Sequence, residues 1–373
     1  MTKLLVVHGG GPTAVMNASL FGILAAARAA GVAVAGAKFG IAGIQSGAWQ
    51  PLPKVPSTKL LTTPGSVLGS SRTPLTDADY PKLAACIHHA GFSHVLMTGG
   101  NGTQATARRL AAAGVAVIGV PKTIDNDLVG VDHAPGYLSA ARFVAATVQE
   151  IAADVAALPI HVVIVEVMGR NAGWLAAAAS LAQPDLLYLP EQAFDEAVFL
   201  AQVEAIAAQR GGALVVVPEG LRDAEGQLVG VSPQNRYAAS ISAYLANLVM
   251  TKLHRRARSE KPGLAGRASI AWQAPRDQAE AVAVGKAAVA AALAGTDGVM
   301  VGLTHGGETP LLPLTQCRGQ RPLAQIVHQY APPWRDSSVQ SLAGAAAAAI
   351  GRLCALIEDP NRQNKRQGRQ CRP

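Results

Sequence analysis

Hydrophobic positions along the chain follow two alternating patterns. Short β-branched runs at residues 4–7, 95–97, 115–120, 162–167 and 213–217 each end in a glycine or proline turn. Between them lie alanine-rich stretches at 14–29, 80–90, 104–113, 138–157, 175–182 and 195–209, which have the length and composition of helices. Strands separated by crossover helices predict an α/β fold with largely parallel sheets. In such sheets ligands bind at the carboxyl ends of the strands. The loops richest in glycine, lysine and aspartate occupy those positions.

Composition narrows the picture. A chain of 373 residues is long enough for two domains with a sizeable core. Half the residues are hydrophobic but only 4% are aromatic, and alanine is abundant, so close packing of helices through small residues is expected. No run of about eighteen apolar residues lacks a glycine, proline or charge, and no membrane span is expected. The start, Met1-Thr2-Lys3 followed by a short strand pattern, lacks the apolar core of a signal peptide, so a cytoplasmic protein is expected. The four cysteines, Cys86, Cys317, Cys354 and Cys371, form no CxxC pair and suggest neither a zinc site nor a disulfide framework.

The net charge of +8 has two sources. Arg362, Lys365, Arg366, Arg369 and Arg372 form a basic stretch without periodicity, expected to be a solvated, disordered tail at 361–373. Lys252, Arg255, Arg256, Arg258 and Lys261 form a second cluster with no interleaved aromatics for base stacking. A pocket for phosphorylated small molecules accounts for it at least as well as a nucleic-acid surface, and no nucleic-acid partner is expected. The alanine-rich segment 345–350 reads as an ordinary helix.

Three loops carry candidate chemistry. Gly9-Gly10-Gly11-Pro12-Thr13 links the first strand to the first helix, where free N–H groups and the helix dipole can hold an anion. Its spacing is neither GxGxxG nor GxxxxGK[ST], which disfavours a Rossmann dinucleotide site and a Walker loop. His8-Gly9-Gly10-Gly11 has the form of an esterase oxyanion loop, but no GxSxG nucleophile elbow accompanies it. Gly99-Gly100-Asn101-Gly102-Thr103 repeats the glycine-turn logic. Pro121-Lys122-Thr123-Ile124-Asp125-Asn126-Asp127 adds a lysine and two carboxylates two residues apart, which lie on one side of an extended segment. Phosphoryl transfer needs that set: N–H groups for phosphate, carboxylates for Mg²⁺ and for a base, and a cation for developing charge. Each loop taken alone is also explained as an ordinary turn. Arg72 in Gly69-Ser70-Ser71-Arg72, Arg170 in Met168-Gly169-Arg170 and Glu219 in Pro218-Glu219-Gly220 are further loop residues suited to phosphate or sugar hydroxyls. The histidines form no metal constellation; His161 precedes a motif-bearing strand.

Over about the first 300 residues the order and spacing of these motifs resemble the 6-phosphofructokinase family. The matching pieces are GGGPTAVMNA (9–18), GSSR (69–72), GGNGT (99–103), PKTIDND (121–127), EVMGRNAGW (166–174) and PEG (218–220). The resemblance implies two Rossmann-like α/β lobes with the active site in the cleft between them, and a homo-oligomer. It divides the chain into an N-terminal lobe at 1–136, a second lobe at 137–265, and segments at 266–360 that complete both. It implies Mg²⁺-dependent phosphorylation of fructose 6-phosphate at its 1-hydroxyl, a step of glycolysis. By position, Asp125 becomes the general base, with Lys122 and Arg170 assisting, and Asp127 with Asn101 the Mg²⁺ ligands. Thr123, Met168, Gly169, Arg170 and Glu219 would hold the sugar, with Arg258, Arg267 and His161 for its phosphate. Gly11, Arg72, Asn101, Gly102 and Thr103 would line the donor side.

Departures from the family pattern bear on substrate and donor. Asn101 stands where the family usually has aspartate, and Leu264 and Gly266 replace a histidine or tyrosine and a glutamine. Gly102 leaves room for the α-phosphate of ATP, whereas pyrophosphate users usually have aspartate there; Lys122 and the first loop look more like the pyrophosphate branch. Exclusion is a stronger specificity device than one added attraction, so steric permission favours ATP, with pyrophosphate the alternative. A non-catalytic regulatory homologue is a third reading, opposed by the retained Asp125, Asp127 and Arg170. The GGNGT loop is also similar to that of NAD and lipid kinases, but PKTIDND and MGR are absent from their pattern.

Overall fold

A computed structural model describes residues 2–230 and 240–323. The basic tail, the 345–350 segment, Cys354 and Cys371 lie outside the described residues. In chain order the first part runs β1 (Lys3–His8), α1 (Met16–Ala29), β2 (Ala33–Ala37), α2 (Ile41–Gln45), β3 (Trp49–Pro51), α3 (Asp79–His89), β4 (His94–Gly99), α4 (Asn101–Ala112), β5 (Val117–Pro121) and α5 (Tyr137–Ala157). It continues with β6 (Val162–Val167), α6 (Trp174–Ala178), β7 (Leu186–Leu187), α7 (Glu196–Arg210), β8 (Ala213–Pro218), α8 (Ile241–Lys252), β9 (Ala257–Glu260) and α9 (Leu264–Arg267). The described part closes with α10 (Pro275–Leu293), β10 (Val299–Val301) and β11 (Leu311–Pro313).

Two compact units result. The first comprises Met1–Ala140, Arg267–Gln273 and Asp277–Arg321; the second contains Ala141–Gly266 and Ala274–Arg276. The first unit's sheet has the order β11-β10-β5-β4-β1-β2-β3, parallel except at its two outer pairs, β10–β11 and β2–β3. The second unit's sheet has the order β7-β8-β6-β9 and is parallel throughout. The α/β class with largely parallel sheets, expected from the alternation of strand and helix patterns, is what the chain adopts.

The central strands are continuous hydrophobic runs because helices cover both faces of a parallel sheet. Leu4, Leu5, Val6 and Val7 of β1 are all fully buried, as are Val95 and Leu96 of β4 and Val117 and Ile118 of β5. Small residues let α1 and α10 approach closely: a β-carbon on Gly22 would lie 2.2 Å from Val282 O, and one on Gly285 would lie 2.2 Å from Ser19 O. In the second unit, Tyr188, Phe194 and Phe199 pack edge-on or tilted over β8, with ring centroids 5.5 to 6.0 Å apart. The aromatic residues are few, but here they are concentrated.

Candidate active site

Because β1, β4 and β5 are neighbours and parallel, their carboxyl ends deliver the three glycine and aspartate loops side by side. Main-chain bonds knit them together: Gly9 N–H donates to Thr98 O at 2.9 Å and Lys122 N–H to Gly99 O at 3.2 Å. Thr103, in the first turn of α4, is buried against both glycine turns. A β-carbon on Gly9 or Gly99 would fall 2.3 or 2.1 Å from its hydroxyl, so glycine is required at both positions. Gly102 faces open space, with nothing within 4 Å of a β-carbon placed there.

The GSSR segment is zipped to the first loop. Ser70 Oγ donates to Gly10 O at 2.7 Å and Gly10 N–H to Ser71 O at 3.2 Å, which sets Arg72 beside Gly11. A β-carbon on Gly11 would lie 3.5 Å from an Arg72 guanidinium nitrogen and 3.4 Å from Arg267 Nε. Lys122 comes to the same turn from below, its ammonium donating to Gly9 O at 3.1 Å and Gly11 O at 2.7 Å. Burial pushes the Lys122 ammonium down to about 8, Asp125 opposes that shift, and Arg72 and Arg267 add to it. Three cations therefore converge on one glycine turn. Like charges so placed repel one another and are stabilised by an anion among them.

Beneath the turn, buried His8 ends β1. Ser66 Oγ donates to Gly69 O at 2.9 Å and so accepts from His8 Nδ1–H at 2.7 Å. Burial, aided by Lys122, holds His8 down to about 3, so it stays neutral beside the lysine.

Asp125 is half-buried, with its N–H bonded to Thr123 Oγ1 at 3.1 Å. Asn126 adopts the left-handed region at φ 55° and is held by its Oδ1, which accepts from Ala134 N–H at 2.8 Å. Asp127 is buried, which raises its carboxyl above the usual range, with Asn101 and Arg321 among the groups that oppose the rise. The return arm of this loop is anchored by α10. Asp277 accepts from Gly136 N–H at 2.8 Å and Ser139 N–H at 3.0 Å at the start of α5, and Glu280 bonds His133 Nε2 at 2.6 Å.

In the second unit, β6 and β8 end at Met168-Gly169-Arg170 and Glu219-Gly220. Glu219 N–H donates to Val167 O at 2.9 Å, and a β-carbon on Gly220 would collide with the Arg170 carbonyl at 1.9 Å. A cavity of about 410 Å³ opens here, lined by residues that include Glu166, Met168, Glu219, Lys261 and Leu264. Glu166 is buried and bonded by Ser240, and Lys261 Nζ lies 2.5 Å from its Oε1. Gly266 packs on the half-buried Phe143 ring, 2.3 Å from a β-carbon position, so a larger residue here would require Phe143 to shift. His161 precedes β6, and Arg258 is exposed on β9 in register with Val163.

The structure thus gathers Gly11, Arg72, Asn101, Gly102, Thr103, Lys122, Thr123, Asp125, Asp127 and Arg267 in the first unit. His161, Met168, Gly169, Arg170, Glu219 and Arg258 belong to the second. Arg267, expected beside the sugar phosphate, lies beside Gly11 and Arg72. Asp277 and Arg321 were not singled out from sequence and act on the loops from 141 and 195 residues away, while His8, noted only as part of a His-Gly-Gly-Gly run, is buried beneath the first loop.

A largely parallel α/β sheet whose strand ends carry a glycine turn, a lysine and paired aspartates has the components that phosphoryl transfer needs. The phosphofructokinase family model matches residues 3–292, and the chain belongs to that family. It is 36% identical over 337 residues to pyrophosphate–fructose 6-phosphate 1-phosphotransferase of Xanthomonas campestris, covering 83% of this chain and 81% of the relative. It is 32% identical to ATP-dependent 6-phosphofructokinase 1 of Thermus thermophilus, covering 86% and 95%. The solved pyrophosphate-dependent phosphofructokinase from Marinobacter aquaeolei matches with a TM-score of 0.80 at 27% identity, covering 96% of this chain and 92% of that one. The pyrophosphate-dependent relative is the more similar of the two, so the preference for ATP drawn from Gly102 has less support than its alternative. Among the described residues no helix is long and apolar enough to cross a membrane.

Proposed function

We propose that the protein is a pyrophosphate–fructose 6-phosphate 1-phosphotransferase, forming fructose 1,6-bisphosphate. The observation that carries this reading is the convergence of Lys122, Arg72 and Arg267 on the Gly9–Gly11 turn. Pyrophosphate concentrates its whole charge in two phosphoryl groups, which suits a compact site with three cations. Asp125 takes the proton from the sugar 1-hydroxyl as that oxygen attacks one phosphorus of pyrophosphate; the bridging P–O bond breaks and orthophosphate leaves. Lys122 stabilises the charge gathering on the transferring group. Thr123, Met168, Gly169, Arg170 and Glu219 hold the sugar, with Arg258 and His161 for its phosphate. In this reading Arg267 moves from the sugar phosphate to the donor.

The residues present suit Mg²⁺. Asp127 offers a carboxylate whose burial calls for a cation, and Asn101 lies beside it. Among the described residues no group of three or more acidic, histidine or cysteine side chains could hold a metal. Mg²⁺ commonly takes one or two carboxylates and fills its remaining positions with water and substrate phosphates, so a small protein set is compatible. When bound there, the ion would neutralise phosphate charge during transfer.

Arg267→Ala tests the assignment. It is expected to raise the KM for pyrophosphate by about tenfold or more while leaving the KM for fructose 6-phosphate within about twofold. A rise confined to the sugar KM contradicts it. ATP remains the second reading, favoured by the open space at Gly102.

A further inference from the structure

The aspartates given to the base and the metal stand on the loop joining β5 to α5, which has little regular structure of its own. Arg321, more than 190 residues further along the chain, takes hold of that loop from outside. Its main-chain N–H donates to Asp127 O at 2.9 Å. Its guanidinium donates to Asn126 O at 2.9 Å through one terminal nitrogen and to Asp132 O at 2.8 Å through the other.

Asn126 O belongs to the peptide that precedes Asp127, and Asp127 O to the peptide that follows it. Arg321 therefore fixes the peptide planes on both sides of Asp127, and rotating either plane would redirect the Asp127 side chain. Through Asn126, the same bonds fix the chain direction leaving Asp125. The bond to Asp132 O ties the outgoing arm of the loop to its returning arm. Asn126 sits in the left-handed region, which asparagine adopts more readily than other non-glycine residues, and its Oδ1 bond from Ala134 N–H holds it there. A planar guanidinium with donors at fixed angles can bond two separated carbonyls at once, and an ammonium on a flexible stem does so poorly.

We infer that Arg321 is a positioning residue that sets the direction of the Asp127 carboxylate, and through Asn126 that of Asp125, by clamping both arms of their loop. Its consequence for turnover rests on the reaction proposed above; its consequence for the loop does not.

The test uses the full chain with Arg321→Ala and Arg321→Lys. Amide hydrogen exchange over residues 124–133 is expected to accelerate by about tenfold or more in the alanine variant, while β1 and β4 keep wild-type protection. Turnover should fall by about 10- to 100-fold and the Mg²⁺ needed for half-maximal rate should rise, with the fructose 6-phosphate KM within about twofold of wild type. Added guanidinium ion should partly restore the alanine variant, an effect that general loss of stability does not produce. Arg321→Lys, which keeps the charge and most of the volume, should show the same local exchange, and it carries the test if the alanine variant does not fold. Unchanged exchange over 124–133 in a folded variant overturns the clamp. Wild-type turnover with an unchanged Mg²⁺ requirement overturns its part in positioning the aspartates. A wild-type protein inactive with either donor refutes the proposed reaction, and the exchange result then decides the clamp by itself.

Discussion

Lys122 holds its charge against a desolvation cost that brings it down to about 8, because it donates to two loop carbonyls and faces Asp125. Its ammonium is present below that pH and is lost above it. The kcat/KM for pyrophosphate reports the free enzyme, and it should fall as pH rises through about 8. Lys122→Arg should lower activity but remove that alkaline fall, since a guanidinium stays protonated throughout. An identical limb in the arginine variant contradicts the assignment. Asp125 makes a separate prediction. Its removal in Asp125→Ser should cut turnover by about 10²- to 10⁴-fold with little change in thermal stability, and near-normal turnover would remove it as the base.

At the scale of elements, the glycine pair between α1 and α10 sets how closely those helices approach. Gly285→Ala would put a methyl group 2.2 Å from the Ser19 carbonyl, backbone that cannot swing aside. Overpacking of this kind costs about 1–3 kcal/mol, readable as a lower midpoint in denaturant unfolding, and an unchanged midpoint would show that the interface yields. Small-residue helix packing was legible in the alanine-rich composition, but α10 was not among the helices read from the pattern. Strands β1, β4, β5, β6 and β8 were legible because parallel burial on both faces demands β-branched runs. Strand β2 was not, because Ala33–Ala37 holds three alanines and a glycine with a single valine. Strand β9 is polar and largely exposed, and β7, β10 and β11 have only two or three residues each. Periodicity cannot register elements so short.

At the scale of the whole chain, the loops proposed to bear the chemistry stand out in the sequence, but the supports that hold them do not. Gly99–Thr103 and Lys122–Asp127 announce themselves by residue type and spacing. Asp277 and Arg321 act through contacts spanning up to 195 residues, and no local pattern records them. Arg267 illustrates the same limit: family position suggested the sugar phosphate, and the fold carries its guanidinium to Gly11. Donor choice is where these levels meet. Gly102 leaves space that a nucleotide can use, while the three cations at the first loop favour a small, charge-dense donor. The most direct measurement is fructose 1,6-bisphosphate formation from fructose 6-phosphate and Mg²⁺, with pyrophosphate and ATP offered in parallel. A pyrophosphate-dependent enzyme should show a kcat/KM for pyrophosphate at least about tenfold above that for ATP. An equal or higher value with ATP would contradict the pyrophosphate reading.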